Sequence, residues 1–538
     1  MGGAHARRLN LIALVVLLVA LAAGTGLRIH AQRATSNVQH DEAWSYASAA
    51  GRLGPFVAAM GGDQGTSLTG RWVPAAEWQR FWTSAGLADV KHIATGLSSL
   101  DVHPPLYFGL LHGWLLMTGM HVWAGRALNL VFAAFTVLGI FGLARALGFK
   151  RLEGALAALV WAVSPAVVSI SSITRQYDLV ALTTVLLVWG LVNAVTERRG
   201  GGRWLYLLWL AAATAAALLT HYQAVLLVAG AAVYVLAAPL LPARGARRGT
   251  WWPPLLALLG GVLAAAVLAP GWRGAFGHER SKLDGFSLRV LGEKITAISD
   301  TFGRFAGLPY AVAGFAVAAV VVTLAVLLIV PRTRHALTER VRTARPGWWV
   351  VLFFLFVTAG GVCLQNLLFL SMPPRISARY LAMAWPFVAF LPLLLFGLWP
   401  RARYALTAAF CLLVLLPVTI TAPLLHDSAD RLPIGRLADA DSVLIDNVGV
   451  GELPRFLWNV PASAKVFAGT QEQLLADKEA WRDTPLGNRA YYVSILRTGG
   501  VAWRRNRILT NLRKQHDVTP LASNGMAEIY AITPKAGK

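Results

Sequence analysis

Two adjacent carboxylates, Asp41 and Glu42, follow the first long apolar segment of the chain, residues 9–27. A carboxylate within hydrogen-bond reach of a hydroxyl group can take its proton, so the pair is a candidate for general-base chemistry. If residues 9–27 cross a membrane, both acids lie in the first loop on the far side, where ionisable groups are costly unless solvated or functional. Taken alone, the segment favours solvated loop acids or the polar first turn of a helix over residues 43–50.

The composition indicates a polytopic membrane protein. Its 538 residues are 56% hydrophobic and only 14% charged, which is too apolar for a soluble protein of this size. The formal net charge is +23, but the basic residues lie in short clusters between apolar segments. The charge therefore indicates topology, and we expect no nucleic-acid partner. Cys363 and Cys411 both lie in apolar segments, so neither a disulfide framework nor a cysteine metal site is indicated.

The apolar segments predict about eleven transmembrane helices. Arg7 and Arg8 precede the first, which we interpret as an uncleaved span with a cytoplasmic N-terminus. Further spans are expected at residues 123–147, 152–169, 179–195, 204–219, 222–241, 251–269, 310–330, 348–370, 380–399 and 404–425. Residues 104–120 are apolar but short and begin with two prolines. We place them as an interfacial helix, because only then do the later short basic loops lie on the same side as Arg7 and Arg8.

The polar segments divide the chain into two predicted domains. Residues 1–425 form the transmembrane domain, whose first extracytoplasmic loop, residues 28–122, contains interfacial helices. From residue 426 onward charge, Asn and Gly return and no long apolar run follows. Residues 426–538 therefore predict a small extracytoplasmic α/β domain, with strands at 442–445, 465–467, 490–495 and 527–532 and helices at 470–482 and 501–515.

Five short motifs are expected on the extracytoplasmic side. They are His40-Asp41-Glu42-Ala43, Asp101-Val102-His103-Pro104-Pro105-Leu106-Tyr107, Ile173-Thr174-Arg175-Gln176-Tyr177-Asp178, Leu219-Thr220-His221-Tyr222 and Ser377-Ala378-Arg379-Tyr380-Leu381. In this order the set resembles the polytopic GT-C glycosyltransferases, in particular the bacterial relatives of protein O-mannosyltransferases and of the lipid A aminoarabinose transferase. The resemblance covers residues 1–425. It implies an α-helical polytopic membrane protein of GT-C type, of about eleven transmembrane helices plus interfacial helices, with the small C-terminal α/β domain outside the cytoplasm.

The resemblance implies an enzyme of the bacterial inner membrane, an inverting hexosyl- or pentosyltransferase. It would move a sugar from a polyprenyl-phosphate carrier to an envelope acceptor, which could be a lipid, lipopolysaccharide or polysaccharide, and membrane lipids would be further partners. Asp41 matches the catalytic acid of the family, while Glu42 would orient the acceptor or Asp41, or bind a metal. Asp178 would be a second acid that contacts sugar or acceptor. Arg175, Arg375 and Arg379 would stabilise the charge on the leaving phosphate.

The remaining predicted binding residues are His103, Tyr177, His221, Tyr222 and Tyr380. Four of them have a simpler alternative: His103 caps a helix before two prolines, His221 is a satisfied structural histidine, and Tyr177 and Tyr222, like Tyr46, are interfacial belt aromatics. Arg175 and Arg379 could also reach lipid headgroups, and Asp178 could pair locally with Arg175. A divalent metal ion is the one cofactor left open, with Glu42 and His221 as candidate ligands.

Two other functions compete with the transferase. A transporter of a lipid-linked saccharide should have broken helices and charges at mid-membrane depth, whereas the ionisable residues here crowd one surface. A polymerase or ligase that uses a diphosphate-linked oligosaccharide is opposed only by the placement of Asp41 and Glu42.

Overall fold

The computed structural model of the chain describes residues 2–33, 38–61, 67–82, 90–101, 103–196, 202–237, 251–269, 271, 288–307, 346–369, 378–397, 401–421, 434–446, 452–476, 486–496, 501–523 and 527–535. The chain divides into two compact units. The first unit comprises Met1–Gln32, Val102–Tyr107 and Arg126–Pro423, and the second comprises Arg33–Asp101, Phe108–Gly125 and Leu424–Lys538.

Helices dominate the described part of the chain. In chain order they are α1 Gly2–Arg33, α2 His40–Ala49, α3 Leu53–Gly61, α4 Ala75–Gln79, α5 Val90–Leu100, α6 Leu106–Thr118, α7 Val122–Ala146, α8 Arg151–Val163, α9 Pro165–Ser171, α10 Tyr177–Thr196, α11 Arg203–Thr220, α12 Ala224–Ala237, α13 Trp252–Leu268, α14 Leu288–Phe305, α15 Pro346–Leu355, α16 Gly361–Phe369, α17 Trp385–Val388, α18 Leu391–Phe396, α19 Arg403–Thr421, α20 Leu453–Leu457, α21 Gln471–Ala476 and α22 Ala502–Gln515. A π-helical turn, Phe356–Gly360, joins α15 to α16, and 3₁₀ turns occur at Ala378–Leu381 and Ile434–Asp439.

Several of these helices are long and apolar enough to cross a membrane, as expected of a multi-pass membrane protein. Among the described residues there are five such helices, Ala6–Arg33, Val122–Ala146, Tyr177–Thr196, Arg203–Thr220 and Pro346–Leu367, or six if α8 and α9 count as one broken span. The segments α6, α12, α13, Trp385–Phe396 and Arg403–Leu415 are apolar but shorter. The span predicted at 310–330 lies outside the described residues.

Two predicted spans are interrupted. The segment predicted as one helix at 152–169 bends by 60° between α8 and α9, where Pro165 cannot donate the backbone hydrogen bond of a continuous helix. The segment predicted at 380–399 consists of a 3₁₀ turn followed by α17 and α18, each with a proline in its first turn. The predicted interfacial helix is α6, whose 13 residues span only about 20 Å. Its place at the membrane surface stays a prediction.

Small residues allow the helices of the first unit to approach closely. A Cβ atom added at Gly24 of α1 would lie 2.9 Å from the Ala162 Cβ of α8, and one at Gly261 of α13 would lie 2.5 Å from the Ala211 carbonyl oxygen of α11. Side chains larger than glycine would force both helix pairs apart, which is the usual reason for small residues at membrane helix contacts.

The second unit contains a six-stranded sheet in the order β1-β3-β2-β4-β6-β5. Its strands are β1 Trp72–Pro74, β2 Ser442–Asp446, β3 Lys465–Gly469, β4 Ala490–Ile495, β5 His516–Ser523 and β6 Ala527–Pro534. The central strands β3, β2 and β4 are parallel, and the outer strands are antiparallel. Four of the strands were predicted. Neither β5 nor β1 was, and β1 lies more than 350 residues before β2 in the sequence and pairs Trp72 with Phe467.

One buried carboxylate forms hydrogen bonds to several elements at the centre of this sheet. Asp446, at the end of β2, accepts hydrogen bonds from the Tyr492 hydroxyl (2.7 Å), Ser494 Oγ (3.1 Å), Gln471 Nε2 (3.0 Å) and the Ile495 backbone N–H (3.0 Å). Burial raises the pKa of Asp446, and these four bonds oppose the shift because they favour the charged form. The carboxylate thus joins β2, β4 and α21.

Candidate functional site

Helix α2 carries the two predicted catalytic acids and begins just before them. Glu42 is fully buried, and its Oε2 accepts a hydrogen bond of 2.9 Å from the backbone N–H of Gln39, the residue before the helix. Asp41 is half-buried in the same first turn, where negative charge is stabilised by the helix dipole. The alternative of a polar first helical turn is therefore confirmed, with the helix beginning at His40 rather than at residue 43.

His40, the residue before Asp41, lies next to an ion pair formed by Glu452 and Arg455. His40 Nδ1 lies 3.3 Å from Glu452 Oε1, while Arg455 Nη1 lies 3.4 Å from the other oxygen, Glu452 Oε2. Arg455 Nε also donates to the carbonyl oxygen of Val38 at 3.1 Å. Both Glu452 and Arg455 are buried. The segment that leads into α2 is thus held by charged groups at α20.

Aromatic side chains hold the middle of α2. Tyr46 is fully buried, its hydroxyl accepts from the Gly125 N–H at 3.2 Å, and its ring lies 5.0 Å from the ring of Trp458. Trp82 stacks on the other side of Trp458, with ring centroids 6.1 Å apart. The belt interpretation of Tyr46 is wrong, because a fully buried ring faces neither lipid headgroups nor water.

In the first unit, three predicted binding residues come together. The ring of His221 lies 6.1 Å from the ring of His103 and 6.5 Å from that of Tyr177. His221 directly follows α11, and its Nδ1 accepts the backbone N–H of Gln223 at 3.2 Å, which leaves the ring proton on Nε2. Burial, and secondarily the neighbouring His103, lower the pKa of His221 to about 3. The imidazole is therefore a neutral hydrogen-bond donor near pH 7.

Asp178 is buried at the start of α10 in a network that the sequence did not predict. Its Oδ1 accepts from Ser171 Oγ at 2.9 Å, and Ser171 Oγ in turn accepts from Arg28 Nε at 2.9 Å. Arg28 also donates through Nη1 to the carbonyl oxygens of Gly24 (2.9 Å) and Ala162 (2.8 Å) and lies over the ring of Trp161. The arginine that the structure links to Asp178 through Ser171 is therefore Arg28.

The structure describes two of the three arginines predicted to bind the carrier phosphate. Arg175 is buried between α9 and α10. Arg379 lies in the 3₁₀ turn, with its guanidinium carbon 5.2 Å from the centre of the Tyr380 ring. Arg375 lies outside the described residues. Tyr222 is half-buried beside His221.

These placements divide the predicted site between the two units. Asp41 and Glu42 belong to the second unit, whereas His103, Arg175, Tyr177, Asp178, His221, Tyr222, Arg379 and Tyr380 belong to the first. Among the residues that the structure describes, no three His, Cys, Asp or Glu side chains are grouped so as to hold a metal ion. Sequence reasoning missed Arg28, Glu452 and Arg455. Only Arg28 had a signal, a cation directly after the apolar run of residues 9–27.

Part of the chain matches a known family model. Residues 102–272, about a third of the chain, match the model of the dolichyl-phosphate-mannose-protein mannosyltransferase family. The matched range contains the motifs around His103, Arg175 and His221. The match confirms the predicted resemblance to the GT-C glycosyltransferases.

Solved structures similar to the chain include an ArnT and an oligosaccharyltransferase. ArnT from Cupriavidus metallidurans bound to undecaprenyl phosphate is 12% identical, with 99% of this chain and 98% of that chain covered and a TM-score of 0.49. The Archaeoglobus fulgidus oligosaccharyltransferase tethered to an acceptor peptide is 11% identical, with 96% and 74% covered and a TM-score of 0.48. No curated protein matches the chain.

Proposed function

We propose that the protein is an inverting glycosyltransferase that moves a sugar from a polyprenyl-phosphate carrier to a lipid, lipopolysaccharide or polysaccharide on the extracytoplasmic side of a bacterial inner membrane. The observation that carries the proposal is the family match over residues 102–272. Two of the five motifs that we associate with this chemistry fall inside that range, and so does all but the first residue of a third, the motif around His103.

In the proposed reaction Asp41 is the general base. The acceptor hydroxyl oxygen attacks the anomeric carbon from the face opposite the phosphate, and its proton passes to the Asp41 carboxylate. The bond between the anomeric carbon and the phosphate oxygen breaks, and its electron pair stays on the phosphate, so the configuration inverts. Glu42 contributes indirectly, because its carboxylate caps α2 and so holds the turn that carries Asp41.

The leaving phosphate gains negative charge as the bond breaks, so cations and hydrogen-bond donors beside it would stabilise the transition state. Arg175, Arg375 and Arg379 are the proposed guanidinium partners, since a planar fork can bind two phosphate oxygens at once. The neutral His221, whose Nε2 carries the proton, is a proposed donor to the sugar or phosphate. Tyr177 and His103, whose rings flank His221, limit its orientations. In this proposal Asp178 contacts the sugar or acceptor, and Tyr222 and Tyr380 line the binding site.

The decisive experiment is sugar transfer by Asp41→Asn protein. Wild-type and variant proteins in nanodiscs are incubated with a panel of radiolabelled polyprenyl-phosphate sugars and an envelope extract as acceptor. The amide keeps the shape of the side chain but cannot take the proton, so turnover should fall by about 10²-fold or more while donor binding survives.

Glu77→Gln is the matched control. Glu77 is an exposed acid of the same extracytoplasmic segment and pairs with Arg80 at 2.9 Å, so its loss should leave turnover unchanged. A stably folded Asp41→Asn protein with normal transfer would remove Asp41 from the mechanism. Transfer only from diphosphate-linked donors would favour the ligase, and movement of a lipid-linked saccharide without bond formation would favour the transporter.

A further inference from the structure

A chain of polar contacts joins the start of α2 to α20, although the two lie more than 400 positions apart in the sequence: Arg455 and Val38 are separated by 417 residues. One Glu452 oxygen faces His40 and the other faces Arg455. Arg455 then reaches past Glu452 to the Val38 carbonyl. A close approach to the His40 side chain and a hydrogen bond to the Val38 backbone therefore connect Glu452 and Arg455 to the residues immediately before Asp41.

The burial of this chain limits how it can move. The side chains of Glu452 and Arg455 are only 4% and 3% exposed, while His40 is 38% exposed. Charges removed from water are tolerated only where their partners stay in place, because losing one partner leaves the other charge buried without compensation. Glu452 precedes α20 and Arg455 lies within it, three residues later, so both charged groups move only if α20 moves.

Apolar and polar contacts fix α20 in turn. Trp458, the residue after α20, lies against Tyr46 of α2. From the other direction, Gln79 of α4 donates through Nε2 to the carbonyl oxygens of Leu457 (2.9 Å) and Val460 (2.7 Å). Helix α2 is therefore held at its first turn by the charged chain and near its middle by an aromatic contact. Both contacts lie within two turns of Asp41.

We propose that Glu452 and Arg455 are positioning residues for Asp41, so that the C-terminal segment of the chain sets the geometry of the catalytic carboxylate. The inference rests on the proposed function of Asp41 as the base. Proton transfer requires the carboxylate within hydrogen-bond distance of the acceptor hydroxyl, and a displacement of about 1 Å can lower a rate by about 10²-fold.

The test compares kcat and donor KM for Glu452→Gln and Arg455→Lys in the full-length protein. Gln keeps the shape of Glu452 but loses its charge, and Lys cannot reach both Glu452 and the Val38 carbonyl. We expect kcat to fall by about 10-fold to 10²-fold in Glu452→Gln, and less in Arg455→Lys, with donor KM changed less than about 2-fold. The control is Glu472→Gln, which removes a surface ion pair with Arg504 (2.6 Å) in the same unit and should leave kcat unchanged.

A double variant separates positioning from a general loss of folded protein. If Glu452 acts through Asp41, then Glu452→Gln should have no further effect on the residual rate of Asp41→Asn protein, because the group that it positions is already inactive. A merely structural role would lower both rates by the same factor. Hydrogen exchange of residues 38–49 gives an activity-independent measure and should be faster in Glu452→Gln than in Glu472→Gln protein.

Two results would overturn the inference: a normal kcat in Glu452→Gln protein, or an equal further loss of rate in the Asp41→Asn background. If instead the wild-type protein transfers no sugar, the proposed function fails, and if Asp41→Asn is fully active, Asp41 is not the base. In that event, unchanged exchange of residues 38–49 in Glu452→Gln protein would refute the positioning of this segment as well, and faster exchange would support it.

Discussion

The network around Arg28 should contribute strongly to the stability of the first unit. Methionine is also a long, unbranched side chain, but replacing Arg28 by Met removes the hydrogen bonds to Ser171, Gly24 and Ala162. A hydrogen bond to a charged group contributes about 1.5 kcal/mol, so the three together amount to about 4 to 5 kcal/mol. This agrees with the cost of about 3 to 5 kcal/mol for removing one member of a buried charge network.

The measurement is thermal unfolding of the protein in detergent, followed by intrinsic fluorescence. For a chain of this length about 4 kcal/mol corresponds to a fall of about 4 °C in the unfolding temperature. Arg33→Ala is the control, because Arg33 is an exposed arginine near the end of the same helix and should change the unfolding temperature little.

A second substitution tests the link to Asp178. In the double variant Arg28→Met with Asp178→Leu, both charges of this network are removed, and Ser171 can still donate to the Val167 carbonyl oxygen, 3.1 Å away. The double variant should therefore be more stable than the sum of the two single effects. Strict additivity, or a wild-type unfolding temperature for Arg28→Met, would refute the reasoning. If Asp178→Asn protein unfolds normally yet loses transfer, Asp178 has a chemical role as well.

Two further predictions concern the other proposed site residues. Arg379→Ala should weaken binding of the donor more than binding of the acceptor, and Arg379→Lys should restore it only partly because an ammonium group lacks the bidentate fork; equal donor affinity in nanodiscs would assign Arg379 to lipid headgroups. His221 has a pKa of about 3 when folded and about 6.5 when unfolded, so the unfolded state gains a proton as the pH falls below about 6.5 and the folded state does not. Between pH 7.5 and pH 5 this histidine should lower the free energy of unfolding by about 2 kcal/mol. His221→Gln should remove this loss, whereas substitution of the exposed His92 should not. Identical pH profiles for wild type and His221→Gln would contradict the prediction.

Local sequence patterns were enough to predict most of the elements. The apolar segments coincide with helices such as α7, α10 and α11, and the short β-branched runs coincide with β2, β3 and β4. The cap formed by Glu42 could also be read locally, since its partner Gln39 is only three residues away. Hydrophobic periodicity and helix capping depend on neighbours within one or two turns, so they are visible in a single sequence.

Contacts between residues far apart in the sequence were determined by the tertiary structure alone. Arg28 and Ser171 are 143 residues apart, and Arg455 and Val38 are 417 apart. Strand β1 has only three residues and owes its conformation to β3, from the other end of the chain. A sequence indicates that a buried charge or a short extended segment needs a partner, but many residues could satisfy that need. Which one does is settled when packing brings particular backbones together, because the desolvation cost is offset only by groups at the right distance and angle.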